Sequence, residues 1–225
     1  EGVTGIGSCA FRECGLFSVE ISSGVTTIGS NAFRASSIVS VTIPSGVKTI
    51  GESAFQACQN LSSVTVNEGV ETIGQNAFQS CTSLTSIALP ASVVEVGAAA
   101  FFQCTAMDSA TFAPGSKQVK MGDNLFSQCY YLRKAVLPES IDRIGAGMFQ
   151  NCLMLAGVEI PQGVETIGES AFASCSAFTT VIIPASVTTI ERTAFKNCPM
   201  ADIYFTGTEA QWNGIWKDSD TTSDL

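Results

Sequence analysis

The chain has 225 residues, 45% of them hydrophobic and only 14% charged, with 11 Lys and Arg against 20 Asp and Glu, a net charge of -9 and no His. That acidity repels phosphate backbones, and no basic cluster or interleaved aromatic stripe offsets it, which argues against nucleic-acid binding. Lacking His, the chain has no His-based proton transfer, Ser-His-Asp triad or His-ligated metal, and no apolar run nears the roughly 20 residues of a bilayer span.

Glu1-Gly2-Val3 reads as the middle of a repeat, with no charged-then-apolar leader before it. From there self-similarity organises everything. Phe11, Phe33, Phe55, Phe78, Phe101, Phe126, Phe149, Phe172 and Phe195 follow one another at intervals of 22, 22, 23, 23, 25, 23, 23 and 23 residues. One copy runs Leu61, Val64, Val66, Val70, Ile73, Gly74, Ala77, Phe78, Cys81, and the next runs Leu84, Ile87, Leu89, Pro90, Val93, Val96, Gly97, Ala100, Phe101, Cys104. The period-two alternation Val64-x-Val66 predicts a short strand with one face buried. Pro44, Pro90, Pro138, Pro161 and Pro184 end such strands. A second apolar pair, Val70 and Ile73, crosses the other side of the coil. Gly74 and its equivalents are expected at positive φ, and the spacing of three in Ala-Phe-x-x-Cys-x-x-Leu predicts a helical or 3₁₀ turn.

No such unit can bury its apolar face alone, so the coils must stack on one core. The expected fold is an α/β solenoid, with a parallel β-sheet on one face and short helical or 3₁₀ turns on the other. Nine strands are predicted near residues 20, 42, 65, 88, 111, 136, 159, 182 and 204, and at about 4.8 Å apart they give a rod roughly 40 Å long. Two extra residues in Ala113-Pro114-Gly115-Ser116-Lys117 predict a bulging loop. Glu191 replaces the recurring Gly in the last full coil. Thr208 with Gln211 predicts a capping box, opening a short helix from which Trp212, Ile215 and Trp216 cover the final coil. About nine coils, including a cap at 206–217, thus span 1–217, and the core-free stretch 218–225 reads as a tail or linker.

The recurring Leu-x-x-Val-x-Ile-Pro-x-x-Val-x-x-Ile-Gly-x-x-Ala-Phe-x-x-Cys resembles the BspA-like class of leucine-rich repeats, from Val3 to about Phe205. The resemblance implies a leucine-rich-repeat solenoid at a cell surface or secreted, as in host-associated bacteria and some protists whose members act as adhesins. It implies no catalytic residue and no cofactor. The segment Ile203 to Trp212 is similar to the one that closes many such arrays.

Eight cysteines, from Cys14 to Cys198, lie three residues after a repeat Phe, and Cys9 breaks that pattern. Stacked side by side and pointing into the core, they are expected as buried, unpaired thiols. Neighbours fall within the Cα distance a disulfide tolerates, although parallel side chains suit a bridge poorly. A column cannot wrap tetrahedrally around a metal, so no metal site is assigned. Cys9 is expected to be exposed. The acid pairs Glu68 with Glu71 and Glu165 with Glu169 are read as solvated charges rather than acid/base dyads.

Binding is placed on the outward strand face. Early coils offer a hydroxyl ribbon of Ser40, Thr42, Ser63, Thr65, Ser86, Ser109 and Thr111. Later coils offer Arg133, Lys134, Val136, Glu159, Ile182 and Tyr204, with Tyr130 and Tyr131 beside them, and such aromatic and Arg anchors concentrate interface energy. The bland reading is that these residues only keep a sheet soluble. The expectation is a monomeric, non-catalytic module for protein interaction or adhesion, meeting a protein partner outside the cell without entering a membrane. The alternative is a structural spacer presenting another domain.

Overall fold

A computed structural model describes residues 2–115, 118–200 and 202–217. In chain order the strands are β1 (Gly5–Ile6), β2 (Thr27–Ile28), β3 (Ser40–Ile43), β4 (Thr49–Ile50), β5 (Ser63–Val66) and β6 (Thr72–Ile73). They continue as β7 (Ser86–Leu89), β8 (Glu95–Val96), β9 (Ser109–Phe112), β10 (Lys120–Met121), β11 (Lys134–Val136) and β12 (Arg143–Ile144). The last are β13 (Thr166–Ile167), β14 (Thr180–Ile183), β15 (Thr189–Ile190), β16 (Asp202–Phe205) and β17 (Trp216–Lys217), with the helix α1 (Glu209–Gly214) before β17. Each coil is a flattened triangle. In most coils a broad strand forms one side, a two-residue strand the second, and the turn carrying the repeat Phe the third.

The alternation read from Val64 and Val66 is the observed burial pattern, with outward and inward side chains taking turns along β3, β5, β7 and β14. Neighbouring strands run parallel with like residues in register, as in Val41 over Val64 and Thr42 over Thr65. The expected single broad sheet is broken into three: β3-β5, β11-β9-β7 and β14-β16. Two predicted strands are missing. Near residue 20 the chain makes one isolated bridge, Ser18 to Ser40, and the stretch around Glu159 forms no strand. The narrow face carries β1-β2-β4-β6-β8-β10 and, after a gap, β12-β13-β15-β17. At that gap the Asp123 carboxylate stands in for a backbone acceptor, taking the Ala146 N–H at 2.9 Å and the Arg143 guanidinium at 2.8 Å. The gap follows the coil lengthened by Ala113–Gly115, which has no regular structure; Ser116 and Lys117 of the expected bulge lie outside the described residues.

The third side holds the rod together without interruption. Phe11 through Phe195 stack with ring centroids 5.1 to 5.7 Å apart and planes within 14° of parallel. Spacing of three does produce i to i−3 bonds here, such as Ala77 N–H to Gly74 C=O and Cys81 N–H to Phe78 C=O. None propagates into a helix, because two residues in each coil are left-handed. In the fourth coil these are Asn76 at φ 57° and Ser80 at φ 58°. The left-handed turn swings their N–H groups along the rod axis, where they donate to Ala98 and Phe102 of the next coil. Asn tolerates that conformation best among side-chain-bearing residues, and it recurs at Asn31, Asn76, Asn124, Asn151 and Asn197.

Positive φ was expected at Gly74, and the structure corrects this: the left-handed residue is Asn76, two places later. Gly74 is needed for close approach. A Cβ there would lie 2.6 Å from Glu52 N and 2.7 Å from Gly51 C, both backbone atoms of the coil before.

The cysteine column has a second purpose beside filling space. Cys81 Sγ donates to the Phe55 carbonyl at 3.2 Å, and the same bond recurs from Cys58, Cys104, Cys129, Cys152, Cys175 and Cys198 to the Phe of the preceding coil. That carbonyl already accepts the Cys N–H of its own coil, so the thiol satisfies its other lone pair, a task Ala cannot perform. Burial pushes the Cys129 thiol from 9.0 up to about 12 and raises Cys58, Cys81, Cys104 and Cys152 as well. Cys175 is raised by its hydrogen bond with Cys198 and by burial. These thiols stay protonated in the folded rod at pH values where the unfolded chain releases its protons. Their contribution to stability is therefore intact below pH 9 and falls as pH rises toward 12. Urea midpoints should fall as pH rises from 9 toward 12, and less steeply in Cys104→Ala. With an aromatic disulfide reagent, exposed Cys9 should react in the native protein, while the six buried thiols wait for unfolding. Native-rate modification of all nine would contradict the burial.

The C-terminal end carries α1. Thr208 and Gln211 close a reciprocal capping box, Trp212 lies 5.4 Å from Phe205, and Ile215 is buried. Trp216, expected to cover the core, instead lies exposed on β17, which pairs with β15. Residues 218–225, read as a tail, lie outside the described residues.

Candidate binding face

Outward positions of the broad strands form rows because like residues are in register. The central row runs Thr42, Thr65, Ala88, Thr111, Val136, Glu159, Ile182, Tyr204. Its first half is hydroxyl and methyl; its second half is larger. Val136, Ile182 and Tyr204 are 41%, 55% and 56% exposed. Ile182 and Tyr204 are direct neighbours on β14 and β16. Lys134 opens β11 in register with Ser109. Arg133 reaches back to Asp108, 2.7 Å away across an exposed ion pair.

The six residues singled out from sequence therefore do not form one cluster. Arg133, Lys134 and Val136 sit on the seventh coil, Ile182 and Tyr204 form a separate pair, and Glu159 stands between them on the strandless stretch. That stretch opens a cavity of about 460 Å³ between the seventh and eighth coils, lined by Ala135, Val136, Leu137, Glu139, Glu159, Ile160, Pro161 and Gln162. The signal was present but faint. Ala135 occupies an inward position held by Val64, Val158 and Val181 in other coils, and Gly157 stands where Ser40, Ser63, Ser86 and Thr180 stand elsewhere. Small size at Ala135 is not decisive by itself, since Ala110 fills the same position in β9, which pairs on both sides; Gly157 is the feature peculiar to this step.

A second exposed patch escaped the sequence reading in part. Tyr130 and Tyr131 turn into the seventh coil, and Leu153 and Met154 occupy the same positions one coil later. All four are exposed. Tyr130 Oη donates to Gln128 Oε1 at 3.3 Å.

The acid pairs are not simply solvated. Glu68 accepts the Ala91 and Ser92 N–H groups at 3.1 and 3.2 Å, Glu71 pairs with Lys48 at 3.3 Å, and Glu169 pairs with Arg192 at 2.7 Å. They join successive coils. Among the described residues no cluster of His, Cys, Asp or Glu is arranged to hold a metal, and no helix is long and apolar enough to cross a membrane.

The BspA type leucine rich repeat region, in six copies, matches residues 1–108 and 102–213. The chain belongs to that family. This BspA-type chain is similar in fold to a leucine rich cell surface protein of Faecalibacterium prausnitzii, at 23% identity over 96% of this chain and 80% of that one, with a TM-score of 0.58. The T. pallidum leucine rich repeat protein is 29% identical over 79% of this chain and 77% of its own, with a TM-score of 0.63. A leucine-rich repeat protein of Bacteroides ovatus is 24% identical over 89% of this chain and 64% of its own, at 0.50. None of the curated proteins matches the sequence.

Proposed function

We propose that this BspA-type chain is a non-catalytic protein-binding module displayed outside the cell, engaging its partner through the C-terminal half of the broad face. The observation that carries this reading is the central row, where Val136, Ile182 and Tyr204 stand exposed in positions that earlier coils fill with Thr or Ala. Solubility alone is better served by continuing the Thr ladder, which also stabilises the sheet through cross-strand contacts. Large side chains on rigid strands supply contact area at little entropic cost. Membership of a leucine-rich-repeat family and the similarity to a cell surface protein of Faecalibacterium prausnitzii favour an extracellular partner.

The test is binding of the purified chain to immobilised host matrix proteins, with adherence of cells displaying it. Tyr204→Ala should weaken binding by at least about tenfold, the range of an interface anchor. Arg133→Ala should do less, because its guanidinium is already engaged by Asp108 in an exposed pair of small worth. No binding by the parent chain, and adherence untouched by Tyr204→Ala, would leave the rod as a spacer.

A further inference from the structure

We propose that the seam between the seventh and eighth coils is a peptide cleft. It takes an extended segment of about eight residues by backbone pairing, with apolar side chains at one end and a Lys or Arg at the other. The proposal rests on the binding-module reading above and names the ligand class for that face.

Three observations converge on the seam. The first is backbone supply. β11 pairs with β9 on one side only, and β14 is likewise a sheet edge. Between them, 157–160 makes no backbone hydrogen bond to either neighbouring coil among the described residues. Coils stacked in parallel point their N–H and C=O groups along the rod axis, so this stretch and the free edge of β11 both present donors and acceptors to the gap. An extended peptide satisfies such a row, and a sheet edge is the usual place for it. The gap lies on the seventh-coil side. A Cβ on Gly157 would sit 3.6 Å from the Thr180 carbonyl of the ninth coil, whereas the cavity of about 460 Å³ lies toward β11.

The second is the lining. Leu137, Ile160 and Pro161 give the cavity an apolar floor. Following the same two coils back toward their start brings the seam to Tyr130, Tyr131, Leu153 and Met154, all exposed. Alternate apolar side chains of an extended segment would be received there.

The third is charge. The cavity carries two carboxylates, Glu139 and Glu159, and no cation lines it. A peptide with a basic residue toward that end is complementary, and an acidic one is repelled by both the cavity and the chain's net charge of -9.

Two pools of fluorescein-labelled octapeptides test the proposal by anisotropy. Both carry apolar residues at alternate positions in their first half; one has Lys fixed in the second half, the other Glu. The Lys pool should bind at least tenfold more tightly, and the difference should vanish in Glu139→Gln/Glu159→Gln. Ala135→Val installs the larger residue that Val64 and Val158 supply at this position and narrows the seam, so it should keep the melting temperature while weakening peptide binding tenfold or more. The proposal fails if neither pool binds, if both bind alike, or if folded Ala135→Val binds as the parent does. Failure of the peptide arm alone, with Tyr204-dependent adherence intact, removes the cleft and spares the module. Failure of both removes the two together.

Discussion

Replacing Phe101 by Ala should destabilise the rod by about 3–5 kcal/mol, the range for deleting a fully buried aromatic ring. Phe101 is buried completely and stacks on Phe78 at 5.4 Å and on Phe126 at 5.5 Å. Both neighbours lose a partner, and neither can collapse into the hole. Their backbones are pinned by axial hydrogen bonds, Phe78 N–H to Ala100 C=O and Phe126 N–H to Met148 C=O. Stability in a stacked array is a sum over coils and the steps between them, so position matters as much as chemistry. Phe11, 36% exposed at the head of the column, should cost far less when truncated. Urea unfolding of the two variants checks this. Equal losses at Phe101 and Phe11 would mean the column does not carry the fold.

How much of this was open to sequence reading depends on whether side chains or backbone decide the point. The Phe column, the register of Thr42 over Thr65 and the capping box at Thr208 follow from apolar spacing and local hydrogen-bonding chemistry, both visible in residue identities. The turn side is different. Ala77-Phe78-x-x-Cys81 has the spacing of a helical turn, and its i to i−3 bonds form, yet its N–H groups at Asn76 and Ser80 find partners in a coil that lies 22 residues away or more. A periodicity cannot show where an N–H points. The candidate face divides the same way. That Ile182 and Tyr204 are exposed neighbours follows from alternation and register. The opening beside Glu159 lies where Gly157 brings no side chain and Ala135 a small one, yet Ala110 is equally small inside paired β9, so residue identity does not mark the step. Arg133 has the character of an interface anchor, but its partner Asp108 belongs to the previous coil, 25 residues earlier.

Gly74→Ala should cost about 3 kcal/mol or somewhat more, at the upper end for inserting one methyl group, although Ala is ordinarily the mildest replacement for Gly. The added Cβ meets Glu52 N at 2.6 Å and Gly51 C at 2.7 Å. Neither atom belongs to a flexible side chain, so relief requires separating the two coils. Separation in turn stretches the Gly74 N–H bond to Ile50 C=O, now 2.8 Å, and the Phe55–Phe78 stack beside it. The last full coil supplies the control. Glu191 already occupies this position, keeps its N–H bond to Ile167 C=O at 2.9 Å, and turns its carboxylate to accept the Glu169 N–H at 2.9 Å. A Cβ is accommodated there because only the cap follows, while Gly74 has coils locked on both sides. Melting temperatures should therefore fall sharply for Gly74→Ala and change little for Glu191→Ala. Comparable losses at the two positions would place the constraint in the local turn and not in the contact between coils.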